Sequence, residues 1–258
     1  MPSKGRYAQF LCFIIINSSE IQDSARQRGV DAVPTQARCR ILVIGKTGVG
    51  KSSLIHDAFG VRTVLASNGR PGKANIDTEH ISEQDNKFVL HDSKGFEPGD
   101  EDNVRIVRDF IQRRSHMEAL GDRLHAIWLC FEIPRAGGRL MEKGMQDFLQ
   151  LKRDGKLGEI PVVVVFTKYD KFMDRVDRTL NDFDLHGLSD HDVKDLVKQR
   201  TDAELHDICT QPLKKLPGSD IPYAMVSTKE THRETIAHLI QITLKSTSAS
   251  TLRARRVR

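Results

Sequence analysis

Eight consecutive residues, Gly45-Lys46-Thr47-Gly48-Val49-Gly50-Lys51-Ser52, have the types and order needed to hold a chain of phosphates. Glycines let a backbone turn tightly and point successive N–H groups at phosphate oxygens. The lysine of such a loop reaches the β- and γ-phosphates, and the serine after it offers a hydroxyl to Mg²⁺. Ser53 carries the same turn into the next element. At ordinary glycine frequency the pattern arises by chance in about one chain in a hundred of this length. The flanks make chance a poorer account still: Ile41-Leu42-Val43-Ile44 reads as a buried strand, and residues 51–59 read as a helix whose N-terminal dipole favours an anion.

Three further clusters fall where strands are expected to end. Asp92-Ser93-Lys94-Gly95 closes the run Lys87 to His91. A carboxylate at the C-terminal end of a strand beside a phosphate loop is placed to hold Mg²⁺, and the Gly95 N–H could approach a γ-phosphate. Alone this short pattern is common; its position gives it weight. Thr167-Lys168-Tyr169-Asp170 follows the run Pro161 to Phe166. An aspartate there can accept two hydrogen bonds from the ring N–H and exocyclic amine of guanine. Adenine offers neither donor at that edge and would leave a buried carboxylate unpaired. The Lys168 stem can lie over the base plane; the bland alternative is a charged loop. Val226-Ser227-Thr228-Lys229 ends the next strand, where a backbone N–H could meet the guanine oxygen. This is the least specific of the clusters.

The elements that must carry these residues alternate along the chain. Thr78 to Ser82 and Lys87 to His91 read as a hairpin around Glu83-Gln84-Asp85-Asn86. Asn103 to Ser115 has helical spacing, with Val104, Val107, Phe110 and Ile111 on one face. His125 to Phe131 and Pro161 to Phe166 read as buried strands, Leu140 to Leu151 as a helix. Ser189 to about Leu216 reads as a helix with breaks, opened by a capping box of Ser189 and Asp192. Ile221 to Val226 is a last strand, and Thr231 with Glu234 caps a final helix to about Lys245. Strands alternating with helices predict a doubly wound α/β sheet, the hairpin supplying one antiparallel edge strand. The expected organisation is an N-terminal extension over 1–38, the α/β domain over 39–245 and a basic tail over 246–258.

Composition bounds the rest. Hydrophobic residues make up 38% and charged residues 29% of 258, ordinary for a globular chain with one sizeable core. Of the net charge of +5, four charges are Arg253, Arg255, Arg256 and Arg258, which leaves the body at +1. That tail could touch an acidic partner, RNA or anionic lipid weakly, or simply fray in solvent; no DNA partner is expected. Cys12, Cys39, Cys130 and Cys209 are scattered without metal-ligand spacing and read as reduced thiols of a cytoplasmic protein. The apolar run Phe10 to Ile16 is too short to span a bilayer and lacks a cleavage pattern after it. It packs on the domain, binds a membrane surface weakly or comes from a misread gene.

In order, spacing and strand context the four clusters resemble the boxes of a P-loop GTPase of the TRAFAC class, over about residues 39 to 245. The resemblance leans towards the septin, Era and dynamin side and to fungal-type G domain proteins, on the strand His125 to Phe131 with its Trp128 and on Arg139. It implies a three-layer G domain, GTP and GDP as ligands, Mg²⁺, and a homodimer or an effector protein as partner. It implies nucleotide contacts from Gly45 to Ser53, from Thr167, Lys168 and Asp170, and from Ser227, Thr228 and Lys229. Metal contacts would come from Ser52, Asp92 and a switch threonine, Thr78, with Thr63 as the alternative. Lys51 and Gly95 would act in catalysis.

Two departures matter. Thr167 stands where the commonest pattern has asparagine, though dynamin-like proteins also use threonine. Phe96 stands where Ras-like enzymes have the glutamine that orients the attacking water, so hydrolysis is expected to be slow, or the water is placed by His91, Glu97, Arg135 or Arg139, in cis or across a dimer. Lys94 is also unusual, and no general base is assigned. A non-hydrolysing GTP-binding or dimerisation module is the alternative to a GTPase, and an ATP-using enzyme the third reading, which Asp170 disfavours.

Overall fold

The computed structural model describes residues 38–59, 75–81, 87–95, 100–135, 143–180, 186–215 and 220–256. Six strands form one sheet: β1 (Cys39–Gly45), β2 (His80–Ile81), β3 (Phe88–Asp92), β4 (Ala126–Glu132), β5 (Val162–Thr167) and β6 (Tyr223–Met225). Their order across the sheet is β2-β3-β1-β4-β5-β6. All pairings are parallel except β2 with β3, which places the one antiparallel strand at an edge, as the sequence predicts.

The apolar runs explain the layering. Along β1, Leu42 and Ile44 point to one face and Ile41 and Val43 to the other, and all four are fully buried. Leu42 and Ile44 pack with Val107, Phe110 and Ile111 of α2 (Glu101–Ser115). On that face lie also α3 (Lys143–Arg153), α4 (Tyr169–Asp177), α5 (Asp190–Leu205) and the short α6 (Gln211–Lys214), which contribute Phe148, Phe172, Leu205 and Leu213. Ile41 and Val43 pack with Leu54 and Ile55 of α1 (Lys51–Phe59) and with Leu239 and Ile240 of α7 (Arg233–Arg256). The fold is therefore a three-layer α/β sandwich, and its parallel strands deliver Gly45, Asp92, Glu132 and Thr167 to one end of the sheet.

The structure differs from the sequence reading at several elements. Helix α4 follows Lys168 directly; the sequence reading assigns no element there. The stretch after Ser189 is α5, a π turn over His206–Thr210 and then α6; the Ser189–Asp192 capping box is present. A 3₁₀ turn over Glu230–His232 precedes α7, so Thr231 lies outside the helix and does not cap it. Within the first turn Thr235 donates instead to the His232 carbonyl at 2.6 Å. Helix α7 does not stop near Lys245 but runs to Arg256: no glycine or proline intervenes, and Ser246, Thr247 and Ser248 return their hydroxyls to carbonyls of Ile242 and Leu244.

The two faces differ in polarity. On the α2 face Arg40 is 1% exposed; its Nη1 lies 2.6 Å from Glu79 Oε1 and 2.8 Å from His91 Nε2. His91 Nδ1 lies 2.7 Å from the Ile76 carbonyl. A carbonyl and a guanidinium on opposite sides fix the tautomer: Nδ1 carries the proton and Nε2 accepts. On the other face the main buried polar contact is Trp128 Nε1 donating to Thr243 Oγ1 at 2.9 Å.

Candidate functional site

The P-loop connects β1 to α1. Gly45 passes so close to β4 that a Cβ there would fall 2.5 Å from the Cys130 carbonyl oxygen, so no larger residue fits. Gly48 and Gly50 have positive φ, and Val49 is buried beneath the turn. Lys51 is 7% exposed and its Nζ donates to the carbonyls of Gly45 and Lys46 at 3.0 and 3.1 Å. The ammonium is thus held over the loop itself. Thr47, Ser52 and Ser53 are exposed.

Asp92 ends β3 beside this loop, and its Oδ2 accepts from Ser52 Oγ at 2.9 Å. Its Oδ1 is buried with no hydrogen-bond partner among the described residues. Burial raises the Asp92 pKa, against the opposing pull of Ser52 and Lys51. A desolvated carboxylate with one unbonded oxygen, next to a serine hydroxyl, fits a hard divalent cation such as Mg²⁺. Thr78 is exposed two residues before β2. The paired register begins only at His80, opposite Leu90, and the Thr78 N–H is bonded to the Asn75 carbonyl at 2.9 Å. Thr63, Phe96, Glu97 and Arg139 lie outside the described residues.

Gly95 packs on the P-loop. A Cβ there would meet Thr47 Oγ1 at 2.0 Å and the Thr47 nitrogen at 2.5 Å. The turn is tied from the other side by Asn103, whose Nδ2 donates to the carbonyls of Lys94 and Gly95 at 3.0 and 2.9 Å. Asp100 caps α2 by accepting from the Asn103 N–H, and Lys94 Nζ reaches the same carboxylate at 3.3 Å. Sequence reasoning missed Asn103: an asparagine inside a helix start reads as a cap, and nothing local says that its amide faces another turn.

At the far end of the sheet top, Thr167 is 4% exposed and its hydroxyl lies 2.5 Å from the Val49 carbonyl and 3.0 Å from that of Phe131. One hydroxyl thus ties the P-loop to β4 and β5. Lys168 adopts the left-handed conformation (φ 60°), and its Nζ meets Glu132 Oε2 at 2.6 Å. Asp170 is 7% exposed; its Oδ1 accepts from Ser227 Oγ at 2.9 Å and its Oδ2 pairs with Lys229 Nζ at 3.2 Å. Burial alone would raise the Asp170 pKa, but Ser227 and Lys229 bring it below the usual carboxylate value. The Ser227 N–H is fixed by Thr235 Oγ1 at 3.1 Å, while Thr228 is exposed. The structure therefore brings the first two clusters together at one end of the site and the last two together at the other.

His91 is not available to place a water at this site. It is fully buried, both ring nitrogens are bonded, and it faces α2, its ring 4.9 Å from that of Phe110. Arg135 is exposed at the end of β4.

Sheet order, phosphate loop and the loops gathered at the strand ends define a P-loop nucleotide-binding protein of the G-domain type. Residues 40–168, half of the chain, match the profile of the 50S ribosome-binding GTPase family. The chain belongs to that family: it is a GTP-binding P-loop GTPase domain of the TRAFAC class. Among solved structures it is similar to a probable GTP-binding protein engB, at 17% identity over 82% of this chain and all of that one, with a TM-score of 0.47. It is also similar to a glutamate-to-alanine mutant of NFeoB from S. thermophilus bound to GDP and AlF4⁻, at 14% identity over 81% of this chain, with a TM-score of 0.45. The same mutant bound to GDP gives 14% identity over 82% and a TM-score of 0.42. The chain spans 64% of the NFeoB chains' length. No curated protein sequence matches it. Among the described residues no helix is long and apolar enough to cross a membrane.

Proposed function

We propose that the chain binds GTP with Mg²⁺, hydrolyses the GTP slowly and acts as a nucleotide-controlled switch. The observation that carries this reading is the buried Asp92 carboxylate, bonded to Ser52 through one oxygen and to nothing described through the other, beside the P-loop. Ser52 and Asp92 would hold the metal, with Thr78 completing the set in the GTP state. Bound Mg²⁺ neutralises charge on the β- and γ-phosphates. The N–H groups from Gly45 to Ser53 cradle the phosphates, Lys51 leaves its loop carbonyls for the β- and γ-oxygens, and Gly95 offers its N–H to the γ-phosphate. Asp170, oriented by Ser227 and Lys229, accepts from guanine, Lys168 covers the base, and a backbone N–H at Thr228 meets the guanine oxygen. Because Asn103 joins the Gly95 turn to α2, a γ-phosphate that pulls on Gly95 also pulls on α2, which is the switch.

Phe96 favours a second reading, a GTP-binding or dimerisation module without turnover. Steady-state phosphate release by the full chain with Mg²⁺, against a Lys51→Ala control, decides between them. Release above the control is expected; equal rates leave only the module. Within the TRAFAC class, Thr167 and the Trp128 strand support a place on the septin, Era and dynamin side, among fungal-type G domain proteins. The scattered spacing of Cys12, Cys39, Cys130 and Cys209 goes with reduced thiols and a cytoplasmic location. A second copy or an effector protein is the partner this reading expects.

A further inference from the structure

The P-loop and the Gly95 turn meet at one side chain. The Gly95 backbone lies directly on Thr47, close enough that a Cβ would fall 2.0 Å from Oγ1. Asn103 holds that turn in place from behind, through the carbonyls of Lys94 and Gly95. On the loop side, Lys51 Nζ sits at the carbonyls of Gly45 and Lys46, the residues just before Thr47. Thr47 is therefore flanked by the two groups that the proposed function assigns to the γ-phosphate, the Lys51 ammonium and the Gly95 N–H. Its side chain is exposed, and its hydroxyl makes no hydrogen bond among the described residues. Phe96, next after Gly95, has no side-chain atom that can bond a water.

We infer that the Thr47 hydroxyl positions the attacking water in this chain. The inference rests on GTP hydrolysis at this site. A hydroxyl can accept from the water through a lone pair while donating its own proton to a γ-phosphate oxygen. It stays protonated throughout and is not the base. The water oxygen bonds to the γ-phosphorus, the bond from that phosphorus to the β–γ bridging oxygen breaks, and GDP leaves with the bond's electron pair. The water's protons pass to the released phosphate and to solvent. Without proton abstraction the site lacks the contribution of a general base, in keeping with slow turnover.

Single-turnover hydrolysis of Mg²⁺-GTP by the full chain tests this with Thr47→Val and Thr47→Ser, alongside GDP affinity as a check on the loop. Valine keeps the branched shape against Gly95 and removes the hydroxyl; serine keeps the hydroxyl and removes the methyl. The expected result is a fall of about tenfold or more in the valine variant's rate, with serine within about threefold of the parent and GDP affinity within about threefold in both. Valine turning over at the parent rate overturns the inference. Equal slowing of both variants, or loss of GDP affinity with the rate, also overturns it, since Thr47 would then act by packing alone. The parent against Lys51→Ala, which leaves Thr47 untouched, tests hydrolysis itself: parity there removes that reading and this inference with it.

Discussion

At the phosphate end the chain presents backbone and one incompletely bonded carboxylate, whereas at the base end its side chains are already bonded to one another. Asp92 keeps a buried oxygen without a hydrogen bond among the described residues, while Asp170 has both oxygens engaged, by Ser227 and Lys229. Thr167 and Lys168 are likewise tied, to Val49, Phe131 and Glu132. The difference follows from the two tasks. A triphosphate with its metal brings enough charge to reorganise a lysine and a carboxylate. Choosing guanine over adenine depends on where a carboxylate points, and orientation has to be held beforehand.

The contrast is open to attack from both ends. At the base end, Asp170→Ala removes the acceptor for two guanine donors and should lower the preference for GTP over ATP by about a hundredfold or more. Competition of each nucleotide against a fluorescent GDP analogue measures it; an unchanged preference would place base recognition elsewhere. The same substitution leaves the buried Ser227 hydroxyl without its acceptor, while Lys229 keeps Asp174 at 3.5 Å, so the nucleotide-free protein should also lose roughly 1 kcal/mol of stability. At the phosphate end, Asp92→Asn should reduce the gain in GTP affinity from Mg²⁺ by about a hundredfold. Because burial raises the Asp92 pKa, removing its charge should leave the urea midpoint of the nucleotide-free protein unchanged or higher. A sharp fall in that midpoint would erase the contrast between the two ends.

The strand that delivers Asp92 carries His91 on its opposite face, and that residue makes the stability of the fold sensitive to pH. Burial, with Arg40 and Arg114 adding to it, pushes the His91 pKa down to about 4, despite the favourable bond to the Ile76 carbonyl. In the unfolded chain histidine titrates near 6.5, so below that pH the unfolded state binds a proton that the folded state refuses. Stability should therefore be full above about pH 6.5, fall by roughly 2 kcal/mol by pH 5, and level off below about pH 4. Urea midpoints at pH 7 and 5 measure the slope, and His91→Asn should flatten it relative to the parent.

Much of this site was legible because its signals are local. The P-loop, the strand before it and the helix Lys51–Phe59 follow from glycine spacing and an apolar run, and the Ser189–Asp192 box from a pair three residues apart. What stayed hidden depends on distance. Arg40 stands just before the apolar run Ile41 to Ile44, and nothing local marks it as buried; Glu79, His91 and Asp122 come to it from three separate segments. Helix α4 is short, with Phe172 and Val176 as its buried apolar residues, and begins at a left-handed lysine that no pattern announces. The capping pair expected at Thr231 and Glu234 gave way to a 3₁₀ turn, because Thr235 is drawn to both His232 and Ser227.

Trp128 is the only tryptophan in the chain and has no exposed surface. Its indole lies 5.7 Å from the Phe59 ring at the end of α1 and is bonded to Thr243 in the middle of α7. The molecule thus contains one indole fluorophore, sealed where the central sheet meets the two helices on that face. Its emission should begin at the blue limit for indole and move to the red only when α1 or α7 parts from β4. An unlabelled sample can then report its own unfolding from a single known point in the interior.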